Sequence, residues 1–399
     1  MTPTAAPKAG NTADIIIVHL AVDYNTPQRP RTTTAVEWFV SELTGYDNVV
    51  IAMQRSPRPR RQQPVECATS TGRLFNYVFF GLPLGIGLHR AMRNAAGGII
   101  ALLDQQNIRP SLIHAHKFTF EGLAGWYVAR HFDVPLFISL RGEVETKVFR
   151  AKPLLRPFLR RIAHDAARLY FVSAWFEPMF NALVPGVTAK ERRLPNIVRN
   201  ISPTITITPP DKSLVSVFNL DTYKRKGLSW LLDAMKIARR EEPEITLDII
   251  GGGSPASIAR CSAMIAQHGL GSCVRLVGAL SNVELLQRLP GYRGFALPSL
   301  NETFGMVYVE SLFAGVPVLF TAGTAVDRYL DGLGVAIATP PRDSGAIAIG
   351  LLDLWRHSVR FRENIRRAAP DLFATFDPAA NIARYRDDVC WAVNQCAAE

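Results

Sequence analysis

Pro298-Ser-Leu-Asn-Glu302-Thr-Phe-Gly305-Met-Val-Tyr-Val-Glu310-Ser-Leu-Phe-Ala-Gly315-Val-Pro317-Val318 is the stretch on which the fold turns. Just before it, Phe295 to Leu297 reads as a buried strand closed by Pro298 and Ser299. Within it, Val307 to Ala314 carries helical apolar spacing and stops at Gly315, with Pro317 beyond. Glu302 therefore precedes a helix and Glu310 lies inside it. The intervening Thr303, Phe304, Gly305 and Met306 are expected to place unpaired amides at the helix N-terminus, where donors and dipole attract phosphate oxygens. Two carboxylates beside an anion site suit a ligand bearing both hydroxyls and phosphates, as a nucleotide sugar does. The plainer reading of the same acids is a dipole preference and a solvated face.

Working outward, the same alternation of short apolar runs and helical stretches recurs. Ile15 to Leu20, Val49 to Met53, Ser111 to His116, Leu136 to Leu140 and Leu169 to Ser173 read as strands in the first half. A helical pattern sits at Ala35, Phe39 and Leu43, after a Thr-rich turn through Arg31, and another at Gly122 to His131. After Leu194-Pro195-Asn196 and the proline-bounded stretch to Pro210, the alternation restarts. Strands at Leu214 to Phe218, Ile245 to Ile250, Val274 to Val277, Val318 to Thr321 and Val335 to Ile337 are separated by helices such as Leu228 to Arg239 and Ser257 to His268. Such alternation predicts an α/β fold of two facing Rossmann-like parallel-sheet domains with an interdomain cleft. The expected division is 1–205, 206–375 and a C-terminal helix, 376–399, packing back toward the N-terminal domain.

Composition sets the class. The 399 residues are 48% hydrophobic and 20% charged, which excludes a disordered chain and suits two cores. A net charge of +11 calls for something anionic as partner. Five scattered cysteines without a Cys-x-x-Cys pair point to reduced thiols and away from zinc. Met1 to Asn11 lacks an apolar signal core and no run of 18 apolar residues occurs, so a cytoplasmic protein is expected.

Four loops follow predicted strands and are expected to line the cleft. Asn219 to Gly227 brings Lys224, Arg225 and Lys226, cations able to neutralise a diphosphate. Gly251, Gly252 and Gly253 would let backbone approach a ligand. Of His114 and His116, taken as facing opposite ways, at most one reaches the cleft, and His116 is the acceptor-side candidate, with Glu143. Arg141 and Glu143 flank the turn at Gly142. In isolation, a solvated basic turn and a tight glycine turn explain the first two loops equally well, and a structural core histidine explains His116 better.

In this order, the Lys226-Gly227 turn, Gly251-Gly252-Gly253, Val274-Arg-Leu-Val-Gly278, Leu297-Pro298-Ser299 and the Glu302/Glu310 pair resemble the retaining, GT-B fold glycosyltransferases of family 4, also called group 1. Ile113-His114-Ala-His116, Ser139-Leu-Arg141-Gly142, Val172-Ser173 and Leu194-Pro195-Asn196 are similar to that family's N-terminal landmarks. The resemblance implies that Glu302 lies near the donor sugar, that Glu310 binds ribose hydroxyls, and that the amides from Thr303 through Phe304, Gly305 and Met306 meet the diphosphate. Lys226 matches the family's phosphate-binding lysine. Asn219 stands where the family commonly has arginine, so that either Arg225 or Lys224 substitutes or the grip on phosphate is weaker. Arg141 stands where many members have histidine, which excludes a neutral imidazole there and favours an anionic partner. No metal or other cofactor is implied, and the sequence shows no Asp-x-Asp motif and no Cys/His ligand cluster. Glu302 is read as orienting the donor and stabilising oxocarbenium-like charge, not as a nucleophile.

The implied activity is transfer of a hexose-type sugar from a nucleoside diphosphate, UDP or GDP, to a glycan or lipid-linked glycan acceptor in cell-surface polysaccharide or glycoconjugate biosynthesis. Basic stretches at Arg55, Arg58, Arg60 and Arg61 and at Arg150, Lys152, Arg156, Arg160 and Arg161, with the apolar Phe75 to Leu88, would fit peripheral contact with an anionic membrane. The alternatives are a GT-B-like nucleotide-sugar epimerase or a non-catalytic nucleotide-sugar-binding assembly protein. Nucleic acid is not an expected partner, since no aromatic interleaving or known module accompanies the charge.

Overall fold

The computed structural model describes residues 14–27, 29, 33–58, 64–67 and 72–398. Arg31, Arg60 and Arg61 of the stretches above lie outside them. The chain divides into two compact units, 1–172 with 176–197 and 378–399, and 173–175 with 198–377.

The first unit runs β1 (Ile16–Ala21), α1 (Ala35–Glu42), β2 (Asp47–Ser56), β3 (Val65–Cys67), β4 (Arg73–Phe80), α2 (Leu88–Gln105), β5 (Leu112–Ala115), α3 (Glu121–Phe132), β6 (Leu136–Leu140), α4 (Glu143–Ala151), α5 (Arg156–Asp165), β7 (Arg168–Phe171), α6 (Glu177–Leu183) and β8 (Glu191–Arg193). Its sheet has the order β3-β4-β2-β1-β5-β6-β7-β8, parallel except for the β3–β4 edge. The central strands β5, β6 and β7 are buried at every residue. Parallel strands covered on both faces favour near-continuous apolar runs, here interrupted only by His114, Ser139 and Arg168, which is why these were legible.

The second unit runs β9 (Lys212–Val217), α7 (Leu228–Glu241), β10 (Leu247–Ile250), α8 (Pro255–Gln267), β11 (Val274–Gly278), α9 (Asn282–Arg288), β12 (Tyr292–Leu297), α10 (Met306–Phe313), β13 (Val318–Thr321), β14 (Ala336–Thr339), α11 (Ser344–Arg356) and α12 (Ser358–Phe376). Its sheet, β11-β10-β9-β12-β13-β14, is wholly parallel. Both units are thus Rossmann-like α/β layers.

The last helix, α13 (Pro378–Ala398), belongs to the first unit. Ile382, Tyr385, Val389 and Ala392, at helical spacing, enter that unit's core beside Leu112, Phe137 and Tyr170. Asp388 fixes the register: it accepts from Arg168 Nε at 2.5 Å and from the Tyr170 hydroxyl at 2.9 Å.

Two sequence expectations are corrected here. Residues i and i+2 of a strand share a face, so His114 and His116 do not point opposite ways: both are buried and their rings lie 4.1 Å apart between centroids. The stretch from Phe75 to Leu88 is not one surface. Its first part completes β4, with Phe75 and Phe79 buried, and exposure begins at the strand's last residue, Phe80, and continues into the turn after it.

Candidate functional site

In the second unit, the decisive stretch folds as its spacing requires. Gly305 caps α10 with φ +70°, and a Cβ there would lie 2.6 Å from the Tyr308 ring. A side chain would therefore push the loop off the helix. Among the described residues the amides of Phe304, Gly305, Met306 and Val307 have no acceptor. They form an open N-terminus suited to an anion. The loop itself is held from several sides. Thr303 gives its carbonyl to the Ser173 hydroxyl at 2.7 Å and the Trp175 indole at 3.1 Å. Phe304 is fully buried, edge-on to Tyr329 and Phe376.

Lys226 reaches across and pairs with Glu302, both side chains being largely buried. Gly227 makes this approach feasible: at φ +77° it lies so near the Pro298 carbonyl that a Cβ would sit 2.1 Å from the oxygen. Glu310, on α10, is buried, and among the described residues its carboxylate has only the Asn282 amide, 3.1 Å away, as a donor. Burial raises its pKa above the ordinary carboxylate value, and Asn282 opposes the shift. A carboxylate with one donor has capacity for further hydroxyls.

The other second-unit candidates spend their polar atoms on the loop. Arg225 donates to the Asn301 carbonyl at 3.1 Å and accepts from the Leu300 amide at 2.9 Å. The Asn219 side chain caps the turn through the Asp221 amide at 2.8 Å, and Lys224 is exposed beside Tyr223. The glycine run also finds a different reason from the expected one. A Cβ on Gly251 would sit 1.8 Å from the Phe218 carbonyl, one on Gly253 2.9 Å from Leu220, and one on Gly252 3.2 Å from Ala279. Close approach here is between neighbouring loops, which Asp221 stitches by accepting from the Ser254 amide and hydroxyl.

In the first unit, Arg141 donates from Nε to the His116 carbonyl at 2.9 Å and from Nη1 to Asn196 at 3.2 Å. Its neighbouring charges are Asp23, Glu121 and Glu145, which oppose the lowering of its pKa by burial. Glu143 is not among them; it forms a surface pair with Lys147, one helical turn on. Asp23 pairs with Lys117. Sequence reading missed Asp23, Glu121, His19 and Asn282 as neighbours of these sites. It also found no histidine cluster, whereas nitrogens of His19, His114 and His116 lie within 4.8 Å of one another.

Glu121 carries a direct consequence. Its Oε1 accepts from the Val22 amide at 2.9 Å, its buried Oε2 has no partner among the described residues, and burial pushes its pKa up to about 7. The folded protein therefore holds a proton that the unfolded chain releases near pH 4.5, so stability is lost as pH rises from there through 7. Glu121→Gln keeps the Val22 contact and has no charge to bury. Relative to the parent it should gain about 3 kcal/mol between pH 4.5 and 7.5. Paired denaturant titrations check this; a difference independent of pH would contradict it.

Two parallel-sheet units, one with an open helix N-terminus flanked by two acids and a lysine, define a class of two-domain α/β proteins. Residues 211–357 match the family described as "Glycosyl transferases group 1", and residues 29–196 match the "Glycosyl transferase 4-like domain". The chain belongs to the group 1 glycosyltransferases of the GT-B fold. It is 27% identical over 293 residues to a D-inositol 3-phosphate glycosyltransferase of Jonesia denitrificans, covering 65% of this chain and 66%, just under two thirds, of that relative. The sucrose-phosphate synthase of Thermosynechococcus elongatus has the same fold, with TM-score 0.71, 18% identity and coverage of 94% of this chain and 98% of that one. So does Anabaena HepE in complex with UDP-glucose, with TM-score 0.66, 14% identity and coverage of 94% and 99%.

Proposed function

We propose that the protein transfers a hexose-type sugar, with retention of anomeric configuration, from UDP or GDP to a glycan or lipid-linked glycan acceptor. The observation that carries this reading is the Lys226–Glu302 pair at the open N-terminus of α10, with Glu310 buried on the same helix. In the proposed complex the α10 amides and Lys226 take the diphosphate and stabilise it as a leaving group. Glu302 orients donor hydroxyls and Glu310 accepts from the ribose. These groups perform the charge stabilisation without a metal ion. HepE with bound UDP-glucose and a relative named for an inositol phosphate support a nucleotide-sugar donor and a hydroxyl-bearing, anionic acceptor. Arg141 is the proposed partner of the acceptor's anion. Incubation with candidate nucleotide sugars and acceptors, followed by proton NMR of the product, tests the reaction: an α-linked product from an α-linked donor is expected, and a β-linked one would contradict retention.

An acceptor at the cytoplasmic face of a membrane is favoured by one surface of the first unit. The turn Pro83–Gly85 and the residue after it present Leu84, 89% exposed, and Ile86, while the turn Pro153–Leu155 presents Leu154, 97% exposed. The two turns adjoin, for a Cβ on Gly85 would lie 3.2 Å from Lys152 Cε. Apolar tips among cations fit an anionic bilayer, at about 1 kcal/mol per cation near the surface. No helix among the described residues is long and apolar enough to cross a membrane. Co-sedimentation with phosphatidylglycerol vesicles should exceed that with phosphatidylcholine vesicles and fall in Leu84→Ser/Leu154→Ser; indifference to lipid charge and to both substitutions would overturn the surface.

A further inference from the structure

The histidine cluster in the first unit is built around a hydrogen-bond chain whose direction can be read from its fixed end. Asn48, on β2, donates through Nδ2 to the Leu43 carbonyl at 2.9 Å and to the Tyr46 carbonyl at 3.3 Å. Those two bonds orient the amide and turn its Oδ1 toward His19 Nε2, 3.1 Å away. An amide oxygen has no proton to give, so His19 Nε2 carries one. Burial holds His19 neutral, with its pKa down to about 4, and its Nδ1 is therefore a bare lone pair. His116 Nε2 lies 3.1 Å from that lone pair and must donate to it. His116 is also held neutral, foremost by burial and then by His114, His19 and Arg141. Its remaining nitrogen, Nδ1, is left unprotonated and has no partner among the described residues.

We propose that Asn48 and His19 are positioning residues that place the His116 proton on Nε2, making Nδ1 an obligate acceptor for a substrate hydroxyl beside Arg141. This rests on the proposed function, in which Arg141 meets the acceptor's anion and its neighbour His116 lies on the acceptor side. The pairing matters because Arg141 offers only donors. Together the two groups match a polyol carrying an anionic substituent, with a hydroxyl donating to Nδ1.

The same accounting argues against a cation at the three rings. His114 accepts or donates at both nitrogens, to the Ser139 hydroxyl and the Tyr385 hydroxyl at 3.0 Å each. Five of the six ring nitrogens are thus engaged, and ligation by all three histidines would break bonds that tie β1, β5, β6 and α13 together.

Long-range proton–nitrogen NMR of the uniformly labelled full chain reads the proton positions directly, in the unliganded protein. The expected spectrum shows His19 and His116 protonated on Nε2 and bare on Nδ1 from pH 6 to 8. Asn48→Leu removes the fixed acceptor, so the chain should reverse: His19 moves its proton to Nδ1 and His116 to Nδ1. If that variant folds poorly, His19→Gln and His19→Phe replace it. Glutamine retains an acceptor and should keep the His116 proton on Nε2, whereas phenylalanine should let it shift to Nδ1. A parent protein with the His116 proton on Nδ1, or identical His116 signals in His19→Gln and His19→Phe, would overturn the proposal. Because no substrate is present, this result is independent of whether sugar transfer itself is confirmed.

Discussion

Lys226→Ala should lower kcat about 100- to 1000-fold, the usual cost of removing one preorganised stabiliser of developing charge. Lys226 stands against Glu302 at the mouth of an open helix N-terminus, so its loss removes the cation nearest the proposed leaving group. Glu302→Gln should reduce kcat by a similar factor while leaving nucleotide affinity near that of the parent, because the carboxylate faces the sugar in this reading. The two effects should not multiply in the double variant, since each single change already breaks the pair. Steady-state kinetics with a saturating donor check this, and full additivity would separate the two residues into independent roles.

Arg362→Met should cost about 3–5 kcal/mol, lowering the unfolding midpoint by about 10 °C. Arg362, on α12, is 2% exposed and donates to the carbonyls of Thr208 and Pro290, at 3.0 and 3.1 Å, and to Tyr292. Burial, aided by Arg293, lowers its pKa to about 10, so the charge is retained at neutral pH. Methionine fills much of the volume but leaves backbone carbonyls without donors, and a backbone group has no apolar substitute. Calorimetric unfolding of the variant decides the matter; an unchanged midpoint would show that water replaces the guanidinium.

The helix bearing Glu310 was legible because all of its signals are local: a strand closed by proline, a glycine at the cap, apolar spacing and a terminal glycine within about twenty residues. Lys226 and Glu302 each lie in such a short motif, but their pairing joins loops 76 residues apart and was not legible. Nor was the first-unit cluster. His19 is opposite His114 only because β1 pairs with β5, and Asn48 joins them through β2. That register is set by burial of whole strands, not by neighbours in sequence. The face of His114 and His116 was a different kind of miss, since the period of a strand already places them together. Gly251 shows a third kind: a glycine required by a close carbonyl reads, in sequence, like one required by a ligand. Glu121 and Glu145 lie in the first turns of α3 and α4, where acids are common on solvated faces, yet both are fully buried, with one oxygen each lacking a partner among the described residues.

In the proposed function α10, with its open N-terminus and Glu310, holds a nucleoside diphosphate. Titration calorimetry of UDP and GDP into the parent and into Glu310→Ala tests it most directly. One nucleotide should bind the parent at one site, and Glu310→Ala should weaken it about 10- to 100-fold, as expected for losing charged hydrogen bonds to ribose, with unfolding unchanged. Absence of binding by either nucleotide, or equal affinity in the two proteins, would contradict the account.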